Sequence, residues 1–389
     1  MARDANGKLI IDFLVVDDQD TMLQAVRNIL KTLFVGKEIV MARNGKEALK
    51  ILKESATGFL ITDWTMPQMT GIELVHLVRN NSQLHDLPTM MISDETDKDK
   101  FLFAMEEGVD GFQVKPFTQG KLMTAIGSIV EARATWTPLQ KNICRLRRLM
   151  LLKQYDKCIV IAQKMLSDVV CPEVNLILGE SFYLTGEYKN ARNILEKFVS
   201  AEKNGKAIHL FGLTLMAEGE YEKALPYLQE SVAKNPLNYN RKIDVGKIYL
   251  ELGMKEEADE IFNSIIRDNP TDLSLVGAGN AFLKKGDLQK ADNFFSKASA
   301  PIPETAAIFN QYAIELRRVG NYDKSIQQYK KCLKILPDNE AFLFNMARAY
   351  LEKGDFPQAR VFFSKVHALY PSNEKAMLFI KHLDEKSKP

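Results

Sequence analysis

From residue 186 onward glycine recurs at a fixed interval: Gly186, Gly219, Gly253, Gly286, Gly320 and Gly354 are spaced by 33 or 34 residues. Prolines keep the same beat at Pro236, Pro270, Pro303, Pro337 and Pro371, and small residues follow at Ala191, Ala224, Ala258, Ala291, Ser325 and Ala359. A period of this length is the mark of stacked supersecondary units. Each glycine permits a turn between two helices where a side chain would be strained. The small residue lets the second helix approach the first, and proline ends the unit because it cannot continue a helix. One helix pair cannot bury its own apolar stripe, so neighbouring pairs must stack. Seven units are expected over 140–371, starting near residues 140, 172, 205, 239, 272, 306 and 340. The first is degenerate, with Lys153 and Cys158 at the glycine and alanine positions. Residues 372–389 should supply a solvating cap helix and a tail.

The first third has a different rhythm. After a polar tail over 1–8, short apolar runs at Leu9–Val16, Ile39–Ala42, Phe59–Thr62, Thr89–Ile92 and Phe112–Val114 alternate with helical patterns at Gln19–Phe34, Gly45–Lys53, Ile72–Val78, Lys98–Glu107 and Gly120–Ala134. Apolar runs without polar alternation are strands covered on both faces, so this part should be an α/β domain with a parallel sheet. The chain thus reads as an α/β domain over 9–133, a linker over 134–139 and an all-α array.

Strand ends of an open parallel sheet are where ligands collect. Here they carry Asp17 and Asp18, then Asp63, then Ser93, then Lys115 followed by Pro116. Clustered carboxylates repel unless a cation joins them. Mg2+ suits such a site because it takes carboxylate and carbonyl oxygens and keeps positions for phosphate. An aspartate can then act as a nucleophile toward phosphorus.

Two resemblances follow. Val15-Val16-Asp17-Asp18, Asp63-Trp64-Thr65-Met66-Pro67, Gly71, Ser93 and Lys115-Pro116-Phe117 resemble the CheY-like receiver domains of two-component signalling. That implies a flavodoxin-like sheet of order 2-1-3-4-5, with Asp63 as phosphoacceptor. It also implies Mg2+ held by Asp17, Asp18, Asp63 and the Thr65 backbone carbonyl. Ser93 and Lys115 would bind the phosphoryl group, Phe112 would be the switching aromatic, and Pro116 would follow a cis peptide bond. Thr65 and Glu95 stand at positions that tune dephosphorylation. The repeats, through segments such as Leu178-Gly179, Gly186-Glu187-Tyr188, and Tyr249, Gly253, Ala258, Phe262 and Pro270, are similar to the tetratricopeptide repeat (TPR), an α-solenoid that binds proteins. First helices of such pairs line a groove, where Lys247, Asn280, Asn310, Arg317 and Arg348 are the candidate contacts.

The implied protein is a response regulator served by a histidine kinase or phosphotransfer protein, with a TPR output that binds a protein ligand and with homodimerisation open. The alternatives are a constitutive scaffold with a docking-only receiver, and an RNA-binding solenoid. Charge argues against the latter: 52 Lys and Arg against 50 Asp and Glu give a net charge of +2, with no sustained basic face for nucleic acid. No nucleophile–base pair, zinc motif or nucleotide loop points to catalysis on an external substrate, so any enzymatic act is self-directed. The polar N-terminus and the lack of a long apolar run argue for a cytoplasmic protein without a membrane span. The four cysteines form no C-x-x-C pair and are expected to be reduced.

Overall fold

The computed structural model describes residues 2–3, 9–33, 38–55, 57–94, 96, 98–168, 170–201, 204–268, 270–298, 301–303 and 305–386. Glu95 therefore lies outside the described residues. The chain divides into two compact units, Met1–Arg241 and Lys242–Pro389.

The first unit opens with the α/β domain. Its strands are β1 (Phe13–Val16), β2 (Ile39–Ala42), β3 (Phe59–Asp63), β4 (Thr89–Ser93) and β5 (Gly111–Val114). They pair in parallel in the order β2-β1-β3-β4-β5, the order expected. The run from Leu9 is not one strand. Leu9–Ile10 pairs antiparallel with Ala2–Arg3, and β1 begins only at Phe13. Between them the Asp12 carboxylate accepts a hydrogen bond from the Glu38 N–H at 3.1 Å, and the polar side chain interrupts the ladder.

The helices are α1 (Asp20–Leu33), α2 (Gly45–Glu54), α3 (Gly71–Arg79), α4 (Lys98–Glu106) and α5 (Gln119–Ala134). Strand residues alternate between two faces. Phe13, Val15, Phe59, Ile61, Met90 and Ile92 form one core with α1 and α5. Leu14, Val16 and Leu60 form a second with α2 and α3, and Met91 enters a third with α3 and α4. Full burial of each such side chain contributes roughly 1.5–3 kcal/mol. A one-residue register slip would exchange the faces, so the double-sided burial fixes the register.

The unit continues with three helix pairs: α6 (Pro138–Leu151) and α7 (Tyr155–Asp168), α8 (Pro172–Leu184) and α9 (Tyr188–Ala201), α10 (Gly205–Ala217) and α11 (Tyr221–Lys234). Cys158, Ala191 and Ala224 are fully buried where the second helix of each pair meets the first. The turn at Gly186 has φ 80°; its N–H donates to the Tyr183 carbonyl while that of Glu187 donates to Phe182. The degenerate first turn makes the same bonds with Lys153 at φ 56°, so it keeps the geometry without the residue suited to it.

Helix α12 (Tyr239–Glu251) carries the division between units. The second unit holds α13 (Lys255–Arg267), α14 (Asp272–Lys284), α15 (Leu288–Phe295), α16 (Ala306–Arg318), α17 (Tyr322–Ile335), α18 (Glu340–Lys353), α19 (Phe356–Leu369) and α20 (Glu374–Lys386). Helix α15 is shorter than its counterparts, closing at Ser296 ahead of Pro301 and Pro303. One core runs through α16–α20, including Tyr329, Met346, Phe363 and Leu383. Phe363 and Phe379 stack with centroids 4.7 Å apart, so α20 covers the last pair as a cap. All four cysteines are free. Among the described residues, no helix is long and apolar enough to cross a membrane.

Candidate functional site

Parallel pairing brings the carboxyl ends of β1, β3, β4 and β5 to one edge. Asp17 follows β1, Asp63 closes β3, Ser93 closes β4 opposite Val114, and Lys115 follows β5. Lys115 Nζ donates to Asp17 Oδ2 at 2.9 Å and to Asp63 Oδ1 at 2.6 Å. The other oxygens are engaged too: Asp17 Oδ1 accepts from the Gln19 N–H at 2.9 Å, and Asp63 Oδ2 from the Thr65 N–H at 2.8 Å. Asp17, Asp63 and Ser93 are buried, while Asp18, Thr65 and Asp94 are exposed. The peptide bond between Lys115 and Pro116 is cis.

Local sequence explains the placement. Gly71 starts α3 so close to β3 that a Cβ there would lie 1.8 Å from the Asp63 carbonyl. The Gly71 N–H bonds the Trp64 carbonyl at 2.9 Å, and a Thr70–Glu73 capping box closes the helix end. The chain between β3 and α3 is thereby folded back beside Asp63, with Gln68 at φ 68°.

Two buried carboxylates share one ammonium. Burial, joined by the Asp17 charge, pushes the Asp63 carboxyl above its ordinary 3.8, against the pull of Lys115 and Thr65. For Lys115 burial opposes the charged form, but the hydrogen bonds and charges of Asp63 and Asp17 outweigh it and its pKa rises. Two carboxylates face one ammonium, and Asp18, next in the chain, is exposed. That donor chemistry, hard oxygens in negative excess, fits a divalent cation such as Mg2+. Among the described residues no set of three or more His, Cys, Asp or Glu side chains is already gathered around one point for a metal. The excess charge, rather than a finished cage, is what the residues provide.

Phe112 lies half-buried on β5, edge-on to Trp64 at 6.5 Å and to Phe101 of α4 at 5.8 Å. Trp64 also meets Phe103 at 6.4 Å, so an aromatic cluster joins the wall of the site to α4.

The groove candidates all fall on first helices of the second unit. Lys247 pairs with Asp244 at 2.7 Å, and Asn280 is half-buried. Asn310 Oδ1 accepts from Asn345 Nδ2 at 3.1 Å, which links α16 to α18. Arg348 reaches Glu352 at 3.2 Å. Arg317 departs from the expectation of a presented cation: it is buried, and its guanidinium is committed to Glu352. Burial of an arginine is tolerable only with such a partner, which makes it a packing residue.

Sequence reasoning missed a second set of charges in the first unit. Asp110 accepts from Arg79, from Arg133 and from the Thr89 N–H. Burial lowers the Arg79 guanidinium to about 10. His76 Nδ1 lies 2.9 Å from Glu107. Glu106 joins Asn235 and Arg241 across 129 and 135 residues, a separation that no local motif marks.

Comparison with known proteins agrees with this geometry. The response regulator receiver domain family matches residues 13–127, and tetratricopeptide repeat families match 173–204, 215–278 and 316–379. The chemotaxis protein CheY of Pseudomonas aeruginosa is 40% identical over 118 residues, 30% of this chain and 94% of that protein. The chemotaxis protein CheY-3 of Vibrio cholerae is 38% identical over 118 residues, 30% of this chain and 90% of its own length. The solved structure of the chemotaxis response regulator CheY4 of Vibrio cholerae is 32% identical, covering 31% of this chain and 98% of that one with a TM-score of 0.29. With the strand order, the acids at the strand ends and the helix pairs all in place, the chain belongs to the CheY-like response regulator receiver family and carries tetratricopeptide repeats in its C-terminal region.

Proposed function

We propose that this protein is a two-component response regulator that takes a phosphoryl group onto Asp63 and uses its repeats to bind another protein in a phosphorylation-dependent manner. The observation that carries the reading is the buried Asp63 carboxylate held beside Asp17 by one shared ammonium, Lys115. A buried carboxylate short of positive charge is both a nucleophile and a cation ligand.

In the proposed reaction an Asp63 carboxylate oxygen attacks the phosphorus of a phosphohistidine on a kinase or phosphotransfer protein. A P–O bond forms, the P–N bond breaks, and the leaving imidazole nitrogen takes up a proton. Asp17, Asp18, Asp63 and the Thr65 carbonyl would hold Mg2+, which would supply charge to offset the phosphoryl oxygens. Lys115 needs little movement to pair with the new phosphoryl group, since it already touches Asp63. Ser93, buried at the end of β4, is the hydroxyl assigned to hydrogen-bond it. The group is later lost to water, a self-directed hydrolysis. Phosphorylation adds about −1.5 to −2 charge units, which favours an arrangement with Ser93 and α4 drawn toward the site and Phe112 following. The phosphoryl group stabilises one of two accessible arrangements rather than creating a new one. The groove residues Lys247, Asn280, Asn310 and Arg348 are proposed ligand contacts, and the setting is cytoplasmic.

Incubation with acetyl phosphate and Mg2+ tests the reading: the wild type should acquire one base-labile phosphoryl group by intact-mass spectrometry. Equal labelling of Asp63→Asn would remove Asp63 from the chemistry.

A further inference from the structure

The most completely buried cation in the first unit is Arg241, at the start of α12. Its partner comes from the receiver: Arg241 Nη2 donates to Glu106 Oε2 at 2.8 Å, and Nη1 donates to the Ser231 carbonyl at 2.8 Å. Asn235 Nδ2 donates to the same Glu106 oxygen at 2.7 Å. Lys206 Nζ donates to the Glu106 backbone carbonyl, at the negative end of α4. Gly205, in the first turn of α10, makes room for the pair. A Cβ there would lie 3.0 Å from Arg241 Nη1 and 3.3 Å from Glu106 Oε1.

Four features make this a built site on the repeats. Lys206, Asn235 and Arg241 come from three successive helix ends and converge on one glutamate, Asn235 and Arg241 on its carboxylate and Lys206 on its backbone carbonyl. The positive end of α10 lies against it. The Glu106 side chain keeps 25% of its surface exposed while that of Arg241 keeps 2%, so solvent reaches the plug but not the guanidinium at the floor of the socket. Asn235 Oδ1 is buried without a donor, an unmet acceptor that a carboxylate cannot satisfy but a backbone N–H of an incoming segment can.

We propose that Lys206, Asn235 and Arg241 form a carboxylate-binding socket on the repeats, occupied here by Glu106 of the receiver, for which an acidic segment of a partner protein competes. The inference rests on the reading of the repeats as a protein-binding module and gives its partner a chemistry. Charge complementarity selects the occupant, since a cationic, desolvated pocket accepts a carboxylate and rejects a cation or a bare apolar side chain. The receiver is placed to control access. Helix α4 carries Phe101, which packs on Phe112 beside the site, and Glu106 at its other end. Movement of this one helix toward the phosphoacceptor withdraws the plug.

The test uses the full chain and fluorescein-labelled hexaglutamate, read by anisotropy at low salt without a phosphodonor. Glu106→Ala should bind the peptide at least roughly tenfold more tightly than the wild type, as expected when an internal competitor is removed. Glu106→Gln, which keeps the shape, should show a smaller gain. Adding Lys206→Gln at the exposed rim of the Glu106→Ala protein should return affinity toward the wild-type level. Equal affinity of wild type and both Glu106 variants, or no response to Lys206→Gln, overturns the proposal. No phosphoryl group enters this experiment, so its failure leaves the Asp63 chemistry standing, and failure of Asp63 labelling leaves the socket standing.

Discussion

Two buried cations in the first unit have opposite accounts. Lys115 sits between two carboxylates, Asp17 and Asp63, in a cluster with negative charge left over. Arg241 has one carboxylate, one carbonyl and an amide beside it, and its charge is matched. Both pairs are desolvated, so both are costly unless compensated. The difference separates a site with charge left over for a cation from a pocket already filled by a carboxylate of the chain itself. The backbone repeats the lesson. Gln68 and Lys153 are the two non-glycine residues at positive φ among the described residues. Gln68 lies in the loop that folds back beside Asp63, whereas Lys153 occupies a turn that six later units give to glycine.

The sharpest way to break the comparison is to unbalance the matched pair. Glu106→Ala leaves Arg241 buried without its carboxylate and should lower the stability of the first unit by about 3 kcal/mol, the scale for orphaning a buried charge. The loss is capped by the free energy of opening the contact, which would hydrate the guanidinium. Denaturant unfolding should show it, together with faster amide exchange at residues 235–241. An unchanged midpoint would mean that the pair is not compensated as described.

The opposite sign is expected at the unfinished site. Asp63→Asn removes excess buried charge and should raise stability near neutral pH by about 1 kcal/mol. The sign follows from linkage. Asp63 has a folded pKa above its unfolded value near 3.8, so the folded state binds the proton more tightly. Stability then falls as pH rises from about 3.8 through the raised folded value and stays lowered above it. The substitution should flatten that segment of a stability–pH curve. Millimolar Mg2+ should raise the melting temperature of the wild type more than that of Asp63→Asn, because only the former offers the full donor set. A fall in stability on removing Asp63 would show that the ion pair with Lys115 outweighs the excess charge.

Of comparable size, Lys153→Gly should stabilise the first helix pair by about 1 kcal/mol, since glycine takes this φ without strain. Thermal melts should show an upward shift; a downward one would mean that the lysine side chain contributes more than its backbone costs.

The smallest effect belongs to a pair complete only when protonated. Hydrogen bonding to Glu107, against the effect of burial, raises His76 above 6.5. Its stabilisation is fully present below pH 6.5 and is lost as pH rises through the folded value. His76→Gln should therefore cost about 0.5 kcal/mol at pH 5.5 and almost nothing at pH 9. A cost independent of pH would assign the histidine to packing alone.

Much was legible in the order of residues. A period of 33 or 34 points to stacked units of one kind, and the fully buried small residues at Ala191, Ala224, Ala258, Ala291, Ser325 and Ala359 repeat what that spacing demands. Uninterrupted apolar runs require a sheet covered on both faces, and that topology places Asp17, Asp63, Ser93 and Lys115 at one edge. Each of these signals is local or periodic, so it survives without knowledge of the fold. What only the tertiary structure decided is pairing between distant charges. Arg317 looks like a groove residue by position but is consumed by Glu352. Lys115 lies between two aspartates, and Glu106 meets Arg241 far along the chain. Electrostatic compensation depends on distance and on exclusion of water, and neither quantity exists until the helices and strands have packed.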